Sequence, residues 1–378
     1  MYSIGMFRIP YTSFTYRNAQ VKNELMNSFE SVLDSGNYIL GSEVQKFEAD
    51  LANFVGTKHA IGMSNGTCSL HLALKTLGLQ KGDEVITPTN SFIASTASIV
   101  LSGYVPVLVD VDDDLNISVD KLEDAISVRT RAIMVVHLAG RPAKMNQILD
   151  IAKKYNLIVI EDAAQSIGSM LFGKRVGTFG EFASFSLHPL KNLHGYGDAG
   201  AIVTNSYEID KKLRLTRNHG LVDRETCVEF SYNCRIDELQ AGLIRVNLSR
   251  LEEWTEERRW LAKLYNQRLR DYVVTPEEGP GEYHVYQTYV IRTHERDSLL
   301  NHLRNSGVEA NVHYKNPIHS QKAIEGAKVR VTEVSNAEKL SKQILSLPLY
   351  PGLQIDAVEE VVEIIREYLE THEIPRPI

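Results

Sequence analysis

Residues 132–136 read AIMVV and residues 157–161 read LIVIE. Both runs are short, rich in β-branched residues and apolar almost throughout, without the polar alternation of a half-exposed strand. A strand of that kind is buried on both faces. Between them, 142–156 is of helix length. The same alternation continues toward the N-terminus. EVIT (84–87) and VPVLV (105–109) are further strand-like runs, with helix-length stretches at 67–78, 91–102 and 118–127. Repeated strand–helix units predict a mostly parallel sheet covered by helices on both faces, an α/β fold. Ligands in such folds sit beyond the carboxyl ends of the strands. The search for chemistry therefore starts with the residues that follow each run.

Upstream, Val21, Leu25, Phe29 and Val32 recur at helical spacing over 19–35 and stop at Gly36. Ser42 with Gln45 forms a capping-box pattern ahead of Val44, Phe47, Leu51 and Phe54, and that helix ends at Gly56. Downstream, a long helical stretch runs from Ile236 to Arg270, and TPEEGPG (275–281) reads as a linker. Beyond it the pattern predicts a strand at 285–292, a helix at 294–306, an irregular segment at 313–321 and helices at 334–345 and 356–371. These make a smaller α+β unit. The expected division is a large domain over 1–250 and a small one over 251–378.

The chain has 378 residues, is 43% hydrophobic and 24% charged, and carries a formal net charge of -7. That composition supports a large core and excludes disordered, collagen-like and disulfide-rich classes. A mildly acidic chain lacks the footprint of a nucleic-acid binder. Cys68, Cys227 and Cys234 form no CxxC pair, so no metal site is expected, and a low odd count favours a reducing compartment. The first twenty residues lack a basic region followed by an apolar core, and no run of about 18 apolar residues exists. The expectation is a cytoplasmic protein whose Asn65, Asn116 and Asn247 sequons are chance matches.

Three stretches carry potential chemistry. SNGTCSL (64–70) places Gly66, Thr67 and Cys68 at a helix start, where backbone amides and the helix dipole favour an anion. Alone, an ordinary N-cap is the favoured reading. In IVIEDAAQSIG (158–168), Asp162 falls where a buried strand ends, and Gln165 follows one helical turn later. An isolated buried carboxylate needs a cation or donor. In FASFSLHPLKNLHGYGDAGAIVTN (182–205), Gly195, Gly197 and Gly200 formally spell GxGxxG. The dinucleotide reading is rejected, because a strand-like run rather than a helix follows. Lys191 stands in the same stretch. A lone lysine is usually a solvated charge, but one kept near apolar walls becomes an amine nucleophile. Taken in order, an anion cradle, a strand-end aspartate and an imine-forming lysine are the parts that hold pyridoxal 5'-phosphate.

At this point the chain resembles the DegT/DnrJ/EryC1/StrS family of nucleotide-sugar aminotransferases, which have the type I PLP aminotransferase fold. The resemblance spans residues 36–74, 81–99, VHLAGRPAKM (136–145), 160–169, 184–205, RNHG (217–220) and YNCRIDELQAG (232–242), and resumes at VHYKNPIH (312–319) and SLPLYP (346–351). It implies that Lys191 bonds the cofactor aldehyde and Asp162 pairs with the pyridinium nitrogen. Gln165 would sit by the ring hydroxyl. Gly66, Thr67, Cys68 and Ser186 would bind the phosphate, and Phe92 would stack on the ring. Asn233 would reach the phosphate of a neighbouring subunit, so a homodimer with shared active sites is implied.

The family's donor is usually L-glutamate and its acceptor a nucleotide-linked keto-sugar. YNCRIDELQAGLIRVNLSRLEEWTEERR (232–259) and SLHPLKNL look most like the branch that aminates C3, with a dTDP- or UDP-linked 3-keto-hexose as acceptor. A 4-keto sugar is the alternative. A related dehydratase branch has His where Lys191 stands, and a non-catalytic regulator would not need the full cofactor set. The family pattern is broken at Ala139, Ala199 and Lys315, none of which carries an inferred cofactor role. His313, Tyr314 and His319 are candidate sugar contacts or packing residues.

Overall fold

The computed structural model describes residues 7–372; positions 1–6 of the stretch read for a leader, and 373–378 of the expected small domain, lie outside the described residues. The apolar runs become strands β1 (His59–Met63), β2 (Glu84–Pro88), β3 (Val105–Val109), β4 (Thr130–Val136), β5 (Ile158–Asp162), β6 (Phe182–Ser186) and β7 (Gly200–Thr204). Beyond them lie β8 (Tyr289–Arg292), β9 (Arg330–Val331) and β10 (Ile344–Leu347). Eight of these form one sheet in the order β1-β7-β6-β5-β4-β2-β3-β9. β7 alone runs against its neighbours, so the sheet is mostly parallel as expected. Helices Gly66–Thr76, Ile93–Leu101 and Met145–Lys154 supply the crossovers. Every position of β2 and β3 is buried, which is why these strands show no polar alternation.

A second hydrophobic core joins Leu261, Tyr265 and Leu269 with Tyr289, Leu303, Leu347, Val361 and Ile365. β8 and β10 pair antiparallel within it. Ile9 also packs into this core, and β9 joins the edge of the large sheet, so each part receives a segment from the other's stretch of chain. The long stretch 236–270 is two helices, Glu238–Ser249 and Leu251–Leu269, broken at Arg250, where φ is -107° and ψ -2°.

Four local expectations change. The helix expected over 334–345 is Ser335–Ser341, and positions 344 and 345 open β10 instead. The 118–127 stretch is a 3-10 turn, Val119–Lys121, and one α-turn, Leu122–Ala125. The strand expected over 285–292 begins only at Tyr289. The amides of Val285 and Thr288 instead bond the carbonyls of Gly140 and Ala139 (3.1 and 3.2 Å). Ser42 does not cap its helix. Gly41 holds the cap position, and the Glu238 carboxylate accepts from the amides of Glu43 (2.9 Å) and Val44 (3.1 Å). A charged acceptor from another helix displaces the local hydroxyl.

Candidate active site

β5 places its last two carboxylates on opposite faces, as a pleated strand must. Glu161 accepts from the amides of Gly177, Phe179 and Gly180, each at 2.8 Å, and from His137 Nε2 at 3.2 Å. Asp162 faces the other way. Its carboxylate accepts from Ser95 Oγ at 2.6 Å and from the Ala164 amide at 3.2 Å. Burial pushes this carboxyl above the ordinary aspartate range, while Ser95, the Ala164 amide and the charges of Lys191 and His137 pull it back.

Lys191 lies five residues beyond β6 and faces Asp162 electrostatically. Burial lowers its ammonium to about 8, against the opposing pull of Asp162. The backbone around it is clamped. Gln287 accepts from the Asn192 amide (2.8 Å) and donates to the Leu190 carbonyl (2.7 Å), and Asn192 Nδ2 bonds the Val285 carbonyl (3.0 Å). Residues beyond the linker thus fix the loop that carries the amine.

The helix start after β1 lies at the same end of the sheet. Asn65 caps it, accepting from the Cys68 amide at 2.8 Å. That N–H is therefore already engaged by the protein, as an ordinary N-cap requires. Gly66 backs onto Ser186: a Cβ there would lie 3.0 Å from Ser186 Cβ. Gly200 must also be glycine, since its Cβ would fall 2.5 Å from the Asn65 carbonyl carbon. Gly200 opens β7, which confirms that the formal GxGxxG has no dinucleotide geometry.

The wall opposite is aromatic. Phe92, at the N-cap of helix Ile93–Leu101, is 54% exposed, with its ring centroid 5.9 Å from that of Tyr314. Gln165 accepts from the Ala139 amide (2.7 Å) and donates to the Tyr314 hydroxyl (3.1 Å). His313 is lowered to about 4 by burial and by the charge of Lys191, and its Nδ1 meets Ser346 Oγ at 3.0 Å. His319 lies between Thr89 Oγ1 (2.7 Å) and Glu338 (3.3 Å). Asn233 is exposed and bridges Asn218. The carbonyl of its neighbour Cys234 accepts from the Ser64 amide at 3.0 Å.

Sequence reasoning missed Ser95 and Gln287. Ser95 follows Phe92 by three residues in SFIAS, a spacing that places both at one helix start. Nothing local marks Gln287, 96 residues after the lysine it steadies.

The arrangement can hold an amine, a carboxylate and an anion site at one mouth of a parallel sheet. A model of the DegT/DnrJ/EryC1/StrS aminotransferase family matches residues 19–366. A Geobacillus stearothermophilus protein named pleiotropic regulatory protein is 40% identical over 365 residues, spanning 95% of this chain and 98% of its own. A Streptomyces venezuelae dTDP-3-amino-3,4,6-trideoxy-alpha-D-glucose transaminase is 36% identical over 367 residues, spanning 96% and 97%. The crystal structure of S. venezuelae DesV superposes with a TM-score of 0.92 at 35% identity, covering 96% of this chain and 99% of that one.

Proposed function

The chain belongs to the DegT/DnrJ/EryC1/StrS aminotransferase family, and we propose that it moves the amino group of L-glutamate to C3 of a nucleotide-linked 3-keto-hexose. The family's cofactor is pyridoxal 5'-phosphate. The single observation that carries the reading is Asp162, buried at the carboxyl end of the sheet with its carboxyl pushed up, facing a half-buried Lys191 whose ammonium is pushed down. Titratable groups perturbed in this way are concentrated at reaction centres, and these two stand where an α/β sheet binds its ligands.

The residues fit the cofactor. Asp162 is a buried carboxylate that gains from a cationic ring nitrogen. Gly66 and Ser186 meet so closely that a Cβ at 66 would press on Ser186 Cβ, so the glycine leaves backbone and Oγ to line an anion site. Thr67 and Cys68 continue that cradle, although the Cys68 amide must then be shared with Asn65. Phe92 offers an aromatic face, and Gln165 is held by Ala139 to present its amide. We assign Asn233 to the phosphate of a second chain, in a homodimer of a cytoplasmic enzyme. The large PLP-binding domain is assigned to 1–250 and the small one to 251–378.

Bound there, the cofactor supplies an aldehyde that bonds amines and a ring that accepts the electron pair left by a departing proton. The protein does the rest. Lys191 would hold the cofactor through Nζ, where the amino donor can take its place. An amine lowered to about 8 is partly neutral near pH 7, so Nζ would serve as the base for the donor's Cα proton. Asp162 holds a proton at the ring nitrogen by its negative charge. Ser95 and the Ala164 amide keep that carboxylate ionised and aimed. The same groups act in reverse on the keto-sugar.

The sugar is assigned to C3 on the 232–259 stretch and on likeness to a relative named for a 3-amino dTDP-sugar. A purely regulatory role, suggested by the name of another relative, is disfavoured by the intact Lys191–Asp162 pair.

Borohydride reduction followed by peptide mapping is expected to find a pyridoxyl group on Lys191. Glutamate with a panel of dTDP- and UDP-linked 3-keto and 4-keto hexoses is expected to yield a 3-amino product by mass and NMR. A pyridoxyl group elsewhere, or amination at C4 alone, overturns the corresponding part of the proposal.

A further inference from the structure

Both peptide groups that flank Lys191 are held by one side chain from beyond the linker. The Gln287 carboxamide accepts from the Asn192 amide at 2.8 Å and donates to the Leu190 carbonyl at 2.7 Å. The lysine's own amide donates to the His188 carbonyl at 2.8 Å. The Cα of Lys191 is thereby fixed, and only its side chain is left to move.

The segment that carries Gln287 is tied down at every residue. The Val285 carbonyl accepts from Asn192 Nδ2 at 3.0 Å. Tyr286 takes a left-handed turn with φ 46°, its amide on His284 Nδ1 (2.9 Å) and its carbonyl on Nη1 of the buried Arg258 (3.2 Å). A bulky residue adopts that conformation only where its surroundings impose it. The Thr288 amide donates to the Ala139 carbonyl at 3.2 Å. Tyr289 then enters the second core, where its ring stacks on Tyr265 with centroids 4.9 Å apart.

The same segment reaches the far wall of the site. The Ala139 amide, one peptide group from the carbonyl that Thr288 holds, donates to Gln165 Oε1 at 2.7 Å. Gly140 follows with φ 92°, and a Cβ there would lie 2.9 Å from the Gln287 amide nitrogen and 3.0 Å from the Gln165 carbonyl oxygen. Only glycine allows so close an approach.

We propose that residues 285–288 are a strap that positions the Lys191 amine for the donor's Cα proton, with Gln287 as the residue that sets it. The proposal deepens the reading of Lys191 as the reacting amine and rests on it. Gln287 acts through the loop, so it is a positioning residue and not a catalytic one. A lysine carries its amine on a flexible stem. Fixing the Cα confines that amine to one small volume, and a misplacement of about 1 Å costs about a hundredfold in rate. Donor binding does not use the two Gln287 bonds, so their loss falls on the rate of the step and not on saturation. A carboxamide serves both contacts because it donates and accepts at once.

The test uses PLP-loaded enzyme mixed with glutamate under single-turnover conditions, reading the limiting rate and the half-saturating glutamate concentration separately. Gln287→Met keeps the length of the side chain and removes both bonds. It is expected to lower the limiting rate about a hundredfold with half-saturation within about twofold. Hydrogen exchange of the apoprotein peptide that holds Asn192 is expected to quicken about tenfold in the same variant, with an unchanged circular dichroism spectrum. Gln287→Glu keeps an acceptor for the Asn192 amide and loses the donor to Leu190. It is expected to lower the rate only about tenfold, and it carries the test if the Met variant does not fold. A wild-type limiting rate in a folded variant, or a raised half-saturation at unchanged rate, overturns the strap. Unchanged exchange at Asn192 in Gln287→Met does so as well. Borohydride mapping of the wild-type protein separates the two readings. No pyridoxyl group on Lys191 removes the reaction centre itself, whereas a pyridoxyl group there with wild-type rates in the variants removes only the role of Gln287.

Discussion

At the scale of single residues, the proposed function turns on one amine and one carboxylate whose ionisation the fold has moved. With its ordinary value lowered to about 8, Lys191 is charged below that pH and neutral above it. Only the neutral amine has a lone pair to bond the aldehyde. Covalent PLP uptake by apoprotein is therefore expected to rise about tenfold per pH unit below 8 and to level off above it. Stopped-flow absorbance reads this directly, and a flat profile from pH 6 to 9 would rule out Lys191 as the reacting group. Linkage gives the same sign. Between about pH 8 and the ordinary lysine range the unfolded chain binds the extra proton, so the apoprotein gains stability from this group as pH rises there. For Asp162→Asn, a neutral amide no longer favours a protonated ring nitrogen. Turnover is expected to fall about a hundredfold or more, with the circular dichroism spectrum unchanged. An unaltered rate would remove Asp162 from the chemistry.

At the scale of elements, a cap shows what local pattern can and cannot carry. Glu238 fastens two helices, standing in the first turn of Glu238–Ser249 while accepting two amides from the start of Ser42–Val55. Glu238→Ala is expected to cost about 1–3 kcal/mol, seen as a lower thermal midpoint and faster hydrogen exchange at Glu43 and Val44. Glu238→Gln should keep part of it, because its carbonyl still accepts one amide. The capping box at Ser42 suggested another partner because sequence spacing sees only neighbours, and Glu238 lies almost two hundred residues away. β2 through β5 were legible because burial on both faces leaves each with a continuous apolar run and confines most polar residues to the strand ends. The strand expected from 285 was over-extended, since nothing in VYQT reveals that its amides would turn to Ala139 and Gly140. In the site, Lys191, Asp162 and the Gly66 turn stand out by motif. The roles of Ser95 against Asp162 and of Gln287 at the lysine loop depend on chain crossings that no local window contains.

At the scale of the whole molecule, the apolar surface argues for a second chain. Phe230 is fully exposed, with Val222, Val228 and Tyr232 exposed around it and Asn233 next in sequence. Met26, Phe29, Leu33, Tyr38 and Ile39 are exposed near the N-terminal helix Thr15–Ser35. Large apolar side chains clustered in this way mark an interaction surface. If the chain is a symmetric dimer, each site takes Lys191 from one copy and Asn233 from the other. Lys191→Ala and Asn233→Ala homodimers are then both impaired, the first through the missing amine and the second through weaker phosphate binding. Unfolded together in equal amounts and refolded, half of the dimers are mixed. Each mixed dimer has one site with both defects and one with neither. Activity is expected to recover to about a quarter of wild-type sites, with PLP affinity at those sites restored. A site built wholly within one chain gives no recovery above the sum of the two variants, because no exchange of partners could bring an intact Lys191 and an intact Asn233 to the same cofactor.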